Sequence, residues 1–380
     1  MNRALNIAIV GYGIAGIAAA IRLRRSGHHI AHFERNDPPV AGGAGMLLHP
    51  AGMRELDQLG VLAAAVECGA PVRRICAQTV SGRSLMDFRY SDAVEGQYGL
   101  GIQRGTLHRL LASVDPGRTH VIAGCKVISV DPDAGRLTDE DGVGHGPFDL
   151  IVVADGMHSQ IRKQIVASEH DPRADFAAVV GLFDDPQRRA ADRLTQYFDS
   201  SRHLSIWPVG RAFIGDQFRC SFAINVSLAE AAAFRDETRR RALLERLCPK
   251  LWSFTSVEHV TPHIVVYRDV ELTRSCVGRV AIIGDAAHSM SPQLGTGAQL
   301  AMEDAAALAQ LLDRHAEVSA ALRAFMRIRT PHLRRYHLAS RWLTPLFQSD
   351  SRAVAFLRDQ LFATAMNSSP AKRMAQALFS

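Results

Sequence analysis

The chain has 380 residues, 47% hydrophobic and 22% charged, which is enough for about two globular domains with a sizeable core. Its formal net charge of +6 is scattered along the sequence, and the arginine run at 239–241 has no interleaved aromatic residues, so we expect no nucleic-acid partner. No charge-free apolar stretch reaches about 18 residues, so we also expect no membrane partner and no membrane span.

The cysteines and histidines carry no pattern of a disulfide framework or a metal site. The six cysteines show no CxxC spacing, which predicts reduced thiols and a cytoplasmic protein. The histidines do not pair with carboxylates at ligand spacing, so we expect no metal. The apolar stretch at 5–23 has the glycine spacing of a strand, a turn and a helix rather than of a signal sequence.

The N-terminal elements form a dinucleotide-binding pattern. A predicted strand at 7–10 precedes the glycine loop 11–16 and a helix to Arg25, and a second strand at 30–33 ends in Glu34. An acid about 20 residues after such glycines binds a ribose, and a carboxylate there suits FAD or NAD better than NADP. The first glycine permits the tight turn, the second lets a pyrophosphate approach, and the third lets the helix pack on the strand. The residues of the loop that we predict to bind the cofactor are Gly11, Gly13, Ile14, Ala15 and Gly16.

The later elements alternate between sheet and helix. Residues 178–270 are predicted to be rich in β-strand, as are residues 71–100, and from Ser291 onward the chain is predicted to be helical. We expect this helical region to be broken at its prolines, namely Pro331, Pro345 and Pro370.

Two further motifs follow predicted buried strands. Asp155 and Gly156 follow the strand at 150–154, and Gly284 and Asp285 follow the strand at 280–283. Ligands of parallel sheets bind at the carboxyl ends of such strands, so we expect both motifs to lie beside the glycine loop. Two alternatives stay open, because Asp-Gly is a common turn pair and an aspartate can cap a helix.

The segment after the last strand carries a turn and a helix start. Pro292 shapes the turn, and the helix beginning near Ala298 would present free N–H groups to an electron-rich ring edge or a carbonyl. Asp285 could accept a hydrogen bond from a polyol chain such as the ribityl arm of a flavin. The predicted cofactor-binding residues of this region are Gly284, Asp285, Pro292, Gly295, Thr296, Gly297 and Ala298.

Together these motifs resemble the class A FAD-dependent aromatic monooxygenases of the para-hydroxybenzoate hydroxylase type, over nearly the whole chain. The stretch 155–162 resembles the family's DG motif, associated with FAD and NAD(P)H, and 284–292 resembles its GD motif, which holds the ribityl chain and the pyrophosphate. The chain departs from the family at Gln299, where Asn is common, and in the loop His49-Pro50-Ala51, which often carries Pro-Asn. Further FAD-binding residues that the resemblance implies are Arg35, Gly45, Met46, Arg104, Asp155 and Gly156.

The resemblance implies an α/β fold, with a Rossmann-like FAD-binding domain, an inserted β-sheet substrate domain and C-terminal helices. We expect the FAD-binding domain to comprise residues 1–70, 101–177 and 272–340, and the substrate domain to comprise 71–100 and 178–271. Residues 341–380 would form a C-terminal helical segment, and the protein would be a monomer or a homodimer.

The implied reaction uses NADH or NADPH and O₂ to hydroxylate an aromatic or heteroaromatic small molecule by way of a flavin C4a-hydroperoxide. The protein must orient the substrate and exclude water. The alternatives are a reductase or dehydrogenase of the same fold without oxygen transfer, and a dinucleotide-binding protein without activity. The predicted catalytic residues are His203, His49, Tyr197 and Pro292, and other substrate-side candidates are Gln196, Ser205, Trp207, Phe213 and Phe222.

Overall fold

Two sheets organise the molecule. The computed structural model describes residues 3–39, 43–92, 94–166, 168–170, 176–198, 202–234, 236–247, 249–251, 254, 260–347 and 360. The strands among these residues are β1 Asn6–Val10, β2 His29–Phe33, β3 Gly45–Leu48, β4 Ala70–Val72, β5 Arg74–Thr79, β6 Ser84–Arg89, β7 Gly99–Gln103, β8 Val121–Ile122, β9 Val127–Asp131, β10 Arg136–Asp139, β11 Gly144–His145, β12 Leu150–Val153, β13 Ser168–His170, β14 Phe176–Asp184, β15 Arg193–Phe198, β16 His203–Gly210, β17 Arg219–Ser227, β18 Thr261–Val266, β19 Val270–Leu272, β20 Cys276–Val277 and β21 Val280–Ile282. The helices are α1 Ile14–Arg25, α2 Pro50–Leu59, α3 Leu62–Cys68, α4 Arg104–Val114, α5 Gln160–Ile165, α6 Leu228–Ala233, α7 Glu237–Leu247, α8 Asp285–His288, α9 Gly297–Arg314 and α10 Val318–Phe347.

The first sheet has six strands in the order β20-β21-β12-β1-β2-β8. Strand β1 pairs in parallel with both β12 and β2, and β12 pairs in parallel with β21. The strands β1, β12 and β21 are almost wholly buried and rich in Ile and Val, as expected for a parallel sheet covered on both faces. This arrangement confirms the predicted α/β fold class with a Rossmann-like sheet.

The second sheet has seven strands in the order β18-β14-β17-β16-β15-β5-β6. It unites two separate stretches of chain, since β5 pairs in parallel with β15 while the other pairings are antiparallel. Its strands fall in the stretches assigned from sequence to the substrate domain, with β14 beginning slightly earlier, at Phe176. The exact domain boundaries stay a prediction.

The two C-terminal helices pack against each other, α9 also packs against α1 and α2, and α10 contacts the edge strand β20 of the six-stranded sheet. The helix α10 runs without a break through Pro331 and Pro345, so the predicted breaks at these two residues are wrong. A proline inside a helix costs about 3 kcal/mol, but buried contacts hold this helix on both sides of Pro331, through Phe325 before it and Tyr336 after it. Pro370 and the rest of the predicted C-terminal segment beyond Phe347 lie outside the described residues, apart from residue 360.

The helices and cysteines of the described residues can be compared with the predictions of no membrane span and of reduced thiols. None of its helices combines the length and the apolar character needed to cross a bilayer. Its five cysteines are all free thiols, and Cys248 lies outside the described residues.

A buried carboxylate ties the end of β21 to both C-terminal helices. Asp304 of α9 is 1% exposed, and its Oδ2 accepts hydrogen bonds from the backbone N–H of Gly284 at 2.9 Å and from His288 Nε2 at 2.6 Å. Its Oδ1 accepts a hydrogen bond from Nε of Arg329 on α10 at 2.7 Å, and Arg329 also donates to Glu303. Burial works to raise the pKa of Asp304, but His288 and Arg329 outweigh it and lower that pKa to about 2.

We expect Asp304→Asn to lower the free energy of unfolding by about 3 kcal/mol or more, because it leaves the buried guanidinium of Arg329 with one counter-ion fewer. Urea unfolding of the purified protein measures this change. Asp313→Asn is the matched control, since Asp313 lies on the same helix and is exposed, and we expect it to change stability by about 0.5 kcal/mol at most. Equal urea midpoints for the two variants would contradict the structural role given to Asp304.

Three buried histidines make the fold sensitive to acid. Burial lowers the pKa values of His32, His49 and His337 to about 4 each. In the unfolded chain a histidine titrates near pH 6.5, so between about pH 6.5 and pH 4 the unfolded state binds protons that the native state does not. The contribution of these groups to stability is therefore complete above about pH 6.5 and is lost as the pH falls toward 4.

Removing one of these titrating groups should flatten the pH dependence. We expect His32→Gln, which retains a donor for the carbonyl of Gly11, to reduce the loss of unfolding free energy between pH 6.5 and pH 4 by up to about 3 kcal/mol. Chemical unfolding at a series of pH values measures this, with His29→Gln as the control because His29 is exposed. A curve for His32→Gln as steep as that of the wild type would refute the assignment.

Candidate functional site

The loops after β1, β12 and β21 meet at one edge of the six-stranded sheet. Gly11 has a φ of +104°, and a Cβ built on it would lie 2.5 Å from the carbonyl oxygen of Ala154, the residue before Asp155. A Cβ on Gly284 would lie 2.8 Å from the Cβ of Ala15. A side chain at Gly11 or Gly284 would push the loops apart, so glycine at these two positions is what lets the three motifs converge.

The first turn of α1 offers an anion site. The first hydrogen bond within this helix runs from the N–H of Ile17 to the carbonyl of Gly13, so the N–H groups of Ile14, Ala15 and Gly16 have no partner in the helix. A Cβ on Gly13 would have no atom within 4 Å, so the space beside this turn is open. Free donors, the helix dipole and open space together fit a pyrophosphate.

The end of β2 lies against the glycine loop. Glu34 accepts a hydrogen bond from the N–H of Tyr12 at 2.8 Å, and the carbonyl of Tyr12 accepts one from His108 Nε2 at 2.7 Å. Arg104 lies one turn before His108 on α4, and a Cβ on Gly43 would lie 3.0 Å from its Cδ. Sequence reasoning missed His108, although its spacing of four residues from Arg104 on a predicted helix is a usable signal. Arg35 follows Glu34 on the surface.

The loop that holds Asp155 is tied to α8. Arg162 is almost wholly buried and donates hydrogen bonds to the carbonyls of Ala286 at 2.9 Å and Met157 at 3.0 Å. The Oδ1 of Asp155 is buried without a hydrogen-bond partner among the described residues, and burial raises the pKa of this carboxyl group. A Cβ on Gly156 would have no atom within 4 Å. An unpartnered buried acceptor beside open space fits a hydroxyl-bearing ligand.

Asp285 and the start of α9 lie beside each other. A Cβ on Gly297, the first residue of α9, would lie 3.8 Å from Oδ1 of Asp285. The hydroxyl of Thr296 is buried without a hydrogen-bond partner in the described part of the chain. Residues 292–294 form a 3-10 turn that leads through Gly295 to this helix start. A carboxylate and a set of free helix N–H groups thus face one space, which fits both a polyol arm and a ring carbonyl.

A cavity of about 450 Å³ separates these loops from the seven-stranded sheet. This volume is within the range of small-molecule and cofactor sites. The predicted cofactor-binding and catalytic residues that line it are Gly45, Met46, His49, His203, Asp285, Pro292, Gly295, Thr296, Gly297 and Ala298. The other predicted cofactor-binding residues do not line this cavity; they lie in the strand-end loops and at the starts of α1 and α4.

The predicted substrate-side residues fall on two faces of the seven-stranded sheet. On β16, His203, Ser205 and Trp207 line the cavity, while the intervening residues pack in the core beneath. Tyr197 lies on the opposite face of β15 from its cavity-lining neighbour Gln196, beside a separate depression. Neither Phe213 nor Phe222 lines the cavity: Phe222 is buried in the core beneath the seven-stranded sheet, and Phe213, between β16 and β17, packs against the hydrophobic core of the six-stranded sheet and its helices. The structure therefore brings His203, His49 and Pro292 together and leaves Tyr197 apart.

The sheet side of the cavity carries a small polar patch. Asn225 Nδ2 lies 2.9 Å from His203 Nδ1, so the amide donates and a neutral His203 carries its proton on Nε2. Trp207 Nε1 is buried without a hydrogen-bond partner among the described residues. Sequence reasoning missed Asn225, whose signal is an amide between the apolar residues Ile224 and Val226 of β17.

The charged side chains of the cavity are acidic. No lysine or arginine among the described residues lines it, whereas Asp87, Asp92 and Asp285 do. Asp87 forms an ion pair with Arg74, and that pair lowers the pKa of Asp87. The cavity therefore offers hydrogen-bond donors but no fixed positive side chain to an anionic ligand.

A cluster of possible metal ligands lies at the small sheet of β9, β10 and β11, with Cys125 just before β9. Cys125, Asp139 and His145 have ligand atoms within 4.8 Å of one another. Asp139 already accepts hydrogen bonds from His145 Nε2 at 2.8 Å and from the N–H of Val143 at 2.9 Å. These hydrogen bonds give Asp139 a structural role in the turn between β10 and β11. None of the three residues lines the cavity.

Comparison with known proteins identifies the cofactor that this site binds. A family model described as an FAD-binding domain matches residues 4–336. The chain is 32% identical to 3-amino-4-hydroxybenzoate 2-monooxygenase of Streptomyces cremeus, over 95% of this chain and 92% of the relative. It is 30% identical, over 88% of this chain and 86% of the relative, to a Rhodococcus erythropolis protein whose predicted activity is that of a 2-heptyl-3-hydroxy-4(1H)-quinolone synthase.

A solved structure matches at the level of the whole fold. Klebsiella pneumoniae HpxO, complexed with FAD and uric acid, aligns with a TM-score of 0.84 and 25% identity, covering 99% of this chain and 96% of that one. The open glycine loop, the unpartnered Oδ1 of Asp155 and the helix start beside Asp285 all fit such a dinucleotide. The predicted monooxygenase is thereby confirmed, and the alternative reductase gains no support: the chain belongs to the class A FAD-dependent aromatic monooxygenases that its three motifs resemble.

Proposed function

We propose that this monooxygenase uses NADH or NADPH to hydroxylate a neutral aromatic or nitrogen-heteroaromatic molecule that carries an apolar substituent instead of a carboxylate. The observation that carries the proposal is the absence of any lysine or arginine from the described cavity lining. Burying a carboxylate is costly unless a cation or several hydrogen bonds compensate it. The aspartates of the lining add repulsion to that cost.

The apolar part of the lining supports the same substrate class. Ile75, Met86, Phe88, Val180 and Leu194 lie around the polar patch, so a ring with an apolar substituent would bury its surface there. The indole N–H of Trp207 needs an acceptor, and a ring carbonyl or phenolic oxygen would supply one. His203 Nε2–H would be the second donor, fixed in this tautomer by Asn225.

The chain's own groups would divide the work between cofactor and substrate. Bound FAD supplies the redox chemistry that activates O₂ for hydroxylation. We infer that the N–H groups at 14–16 hold the pyrophosphate, that Glu34 holds the adenosine ribose, and that Asp285 holds the ribityl arm. The strands β14 to β17 would hold the substrate ring and keep water from the reacting face. The cytoplasmic location and the monomeric or homodimeric state stay predictions.

A matched pair of compounds isolates the effect of charge. We expect 3-amino-4-hydroxybenzamide, which is neutral, to be hydroxylated with a kcat/KM at least about tenfold above that of 3-amino-4-hydroxybenzoate, because about 1.4 kcal/mol of uncompensated carboxylate burial gives that factor. Product formation is measured by mass spectrometry and peroxide release is measured in parallel. A benzoate that is hydroxylated as fast as its amide or faster would overturn the proposed substrate class.

The unpartnered indole provides a second test. We expect Trp207→Phe to raise the KM for a neutral substrate about fivefold, because it removes one hydrogen bond worth about 1 kcal/mol. Steady-state kinetics measure this, and Trp342→Phe is the control because Trp342 is 80% exposed on α10. An unchanged KM in Trp207→Phe would show that the indole does not hold the substrate.

A further inference from the structure

A buried histidine joins the turn before α9 to the sheet side of the molecule. His49 lies between β3 and α2 and is 2% exposed. Its Nε2 lies 2.9 Å from the carbonyl oxygen of Leu294, and its Nδ1 lies 2.7 Å from the hydroxyl of Tyr90. Leu294 belongs to the turn that lines the cavity, and Tyr90 directly follows β6 of the seven-stranded sheet.

The direction of these two hydrogen bonds is fixed. A carbonyl oxygen only accepts, so Nε2 of His49 must carry the proton that it donates to Leu294. Burial lowers the pKa of His49 to about 4, so the ring is neutral near pH 7 and its Nδ1 accepts from Tyr90. The hydrogen bonds thus run in one direction, from Tyr90 through His49 to the turn.

We propose that His49 is a positioning residue that holds the 292–295 turn, and with it the first turn of α9, in place against the flavin ring. Gly295 stands in the left-handed region with φ +66°, and its Cβ position lies only 3.4 Å from Nε2 of His49, so the histidine contacts the turn where the backbone reverses toward α9. The free N–H groups of α9 carry the positive end of the helix dipole, which stabilises negative charge on a nearby ring.

His49 lies outside the three cofactor motifs, in the segment His49-Pro50-Ala51 of a loop that often carries Pro-Asn in the family. The proposal rests on the FAD site of the proposed function and is independent of the substrate.

The experiment compares FAD bound to His49→Ala, His49→Gln and Tyr90→Phe. We expect His49→Ala to raise the Kd for FAD about tenfold, to lower the reduction potential of bound FAD and to shift its visible absorption spectrum. His49→Gln retains an N–H donor and should recover the Kd to within about threefold, together with the potential. Tyr90→Phe leaves the Nε2 donor in place and should change all three quantities less than His49→Ala.

A control variant separates positioning from loss of a buried ring. His28 is also a buried histidine bonded to backbone, but its partner is the N–H of Leu5, far along the sequence from the turn. We expect His28→Ala to lower thermal stability without changing the potential or the spectrum of bound FAD. If His49→Ala does not fold, His49→Met replaces it, because methionine fills the volume without donating a hydrogen bond.

Two results would overturn the proposal. One is a His49→Ala or His49→Met protein with the FAD affinity, potential and spectrum of the wild type. The other is a His49→Gln protein as defective as His49→Ala, which would show that the ring's shape matters and not its donor. Failure of the wild-type protein to bind FAD would instead defeat the proposed function, so the two failures are distinguishable.

Discussion

The buried carboxylate of Asp304 is the interaction on which the cofactor edge of this molecule depends. It accepts hydrogen bonds from the N–H of Gly284, from His288 and from Arg329, and it thereby joins the end of β21, the short helix α8 and the helix α10. An isolated carboxylate could not remain ionised in this position, because burial favours its neutral form. The guanidinium of Arg329 and the hydrogen bonds to Asp304 stabilise the charged form of this carboxylate. The carboxylate in turn holds each of the three donors in one orientation.

Close contacts link the segment that Asp304 holds to the other two cofactor motifs, the glycine loop after β1 and the Asp155 loop after β12. A Cβ on Gly284 would lie 2.8 Å from the Cβ of Ala15, and a Cβ on Gly11 would lie 2.5 Å from the carbonyl oxygen of Ala154, so neither position has space for a side chain. Arg162 closes the set by bonding the Asp155 loop to α8. The segment between β21 and α9 is thus held at its beginning by Asp304 and at its far end by His49, so the donors at the start of α9 are fixed relative to Asp285.

The sequence was informative where a function is local and silent where it depends on distant partners. The glycine loop, the Asp155 motif and the Asp285 motif each combine a buried strand with its own turn, and all the chemistry of such a unit lies within a few residues. The roles of Asp304 and His108 depend instead on groups 20 and 96 residues away in the chain, Gly284 and Tyr12. Asp304 is unusual in sequence because it falls on the apolar face of α9, but no local pattern identifies the groups that bond to it.

The choice between neighbouring residues on a strand was harder still. All eight residues of β16 are buried, so burial alone does not distinguish its two faces, although His203 and Ser205 alternate in sequence with the apolar Leu204 and Ile206. The orientation of β16 is set by the core beneath the sheet, where Leu204 and Ile206 pack. The alternate residues His203, Ser205 and Trp207 therefore face the cavity on the flavin side. Gln196 of β15 pairs with Ser205 of β16, so the two side chains lie on the same face of the sheet. Gln196 therefore faces the cavity and its neighbour Tyr197 faces away from it. The cavity exists because small side chains such as Ala178, Ser205 and Ala223 occupy this face. Arg74 of β5 and Arg193 of β15 line the depression on the other face instead of the cavity.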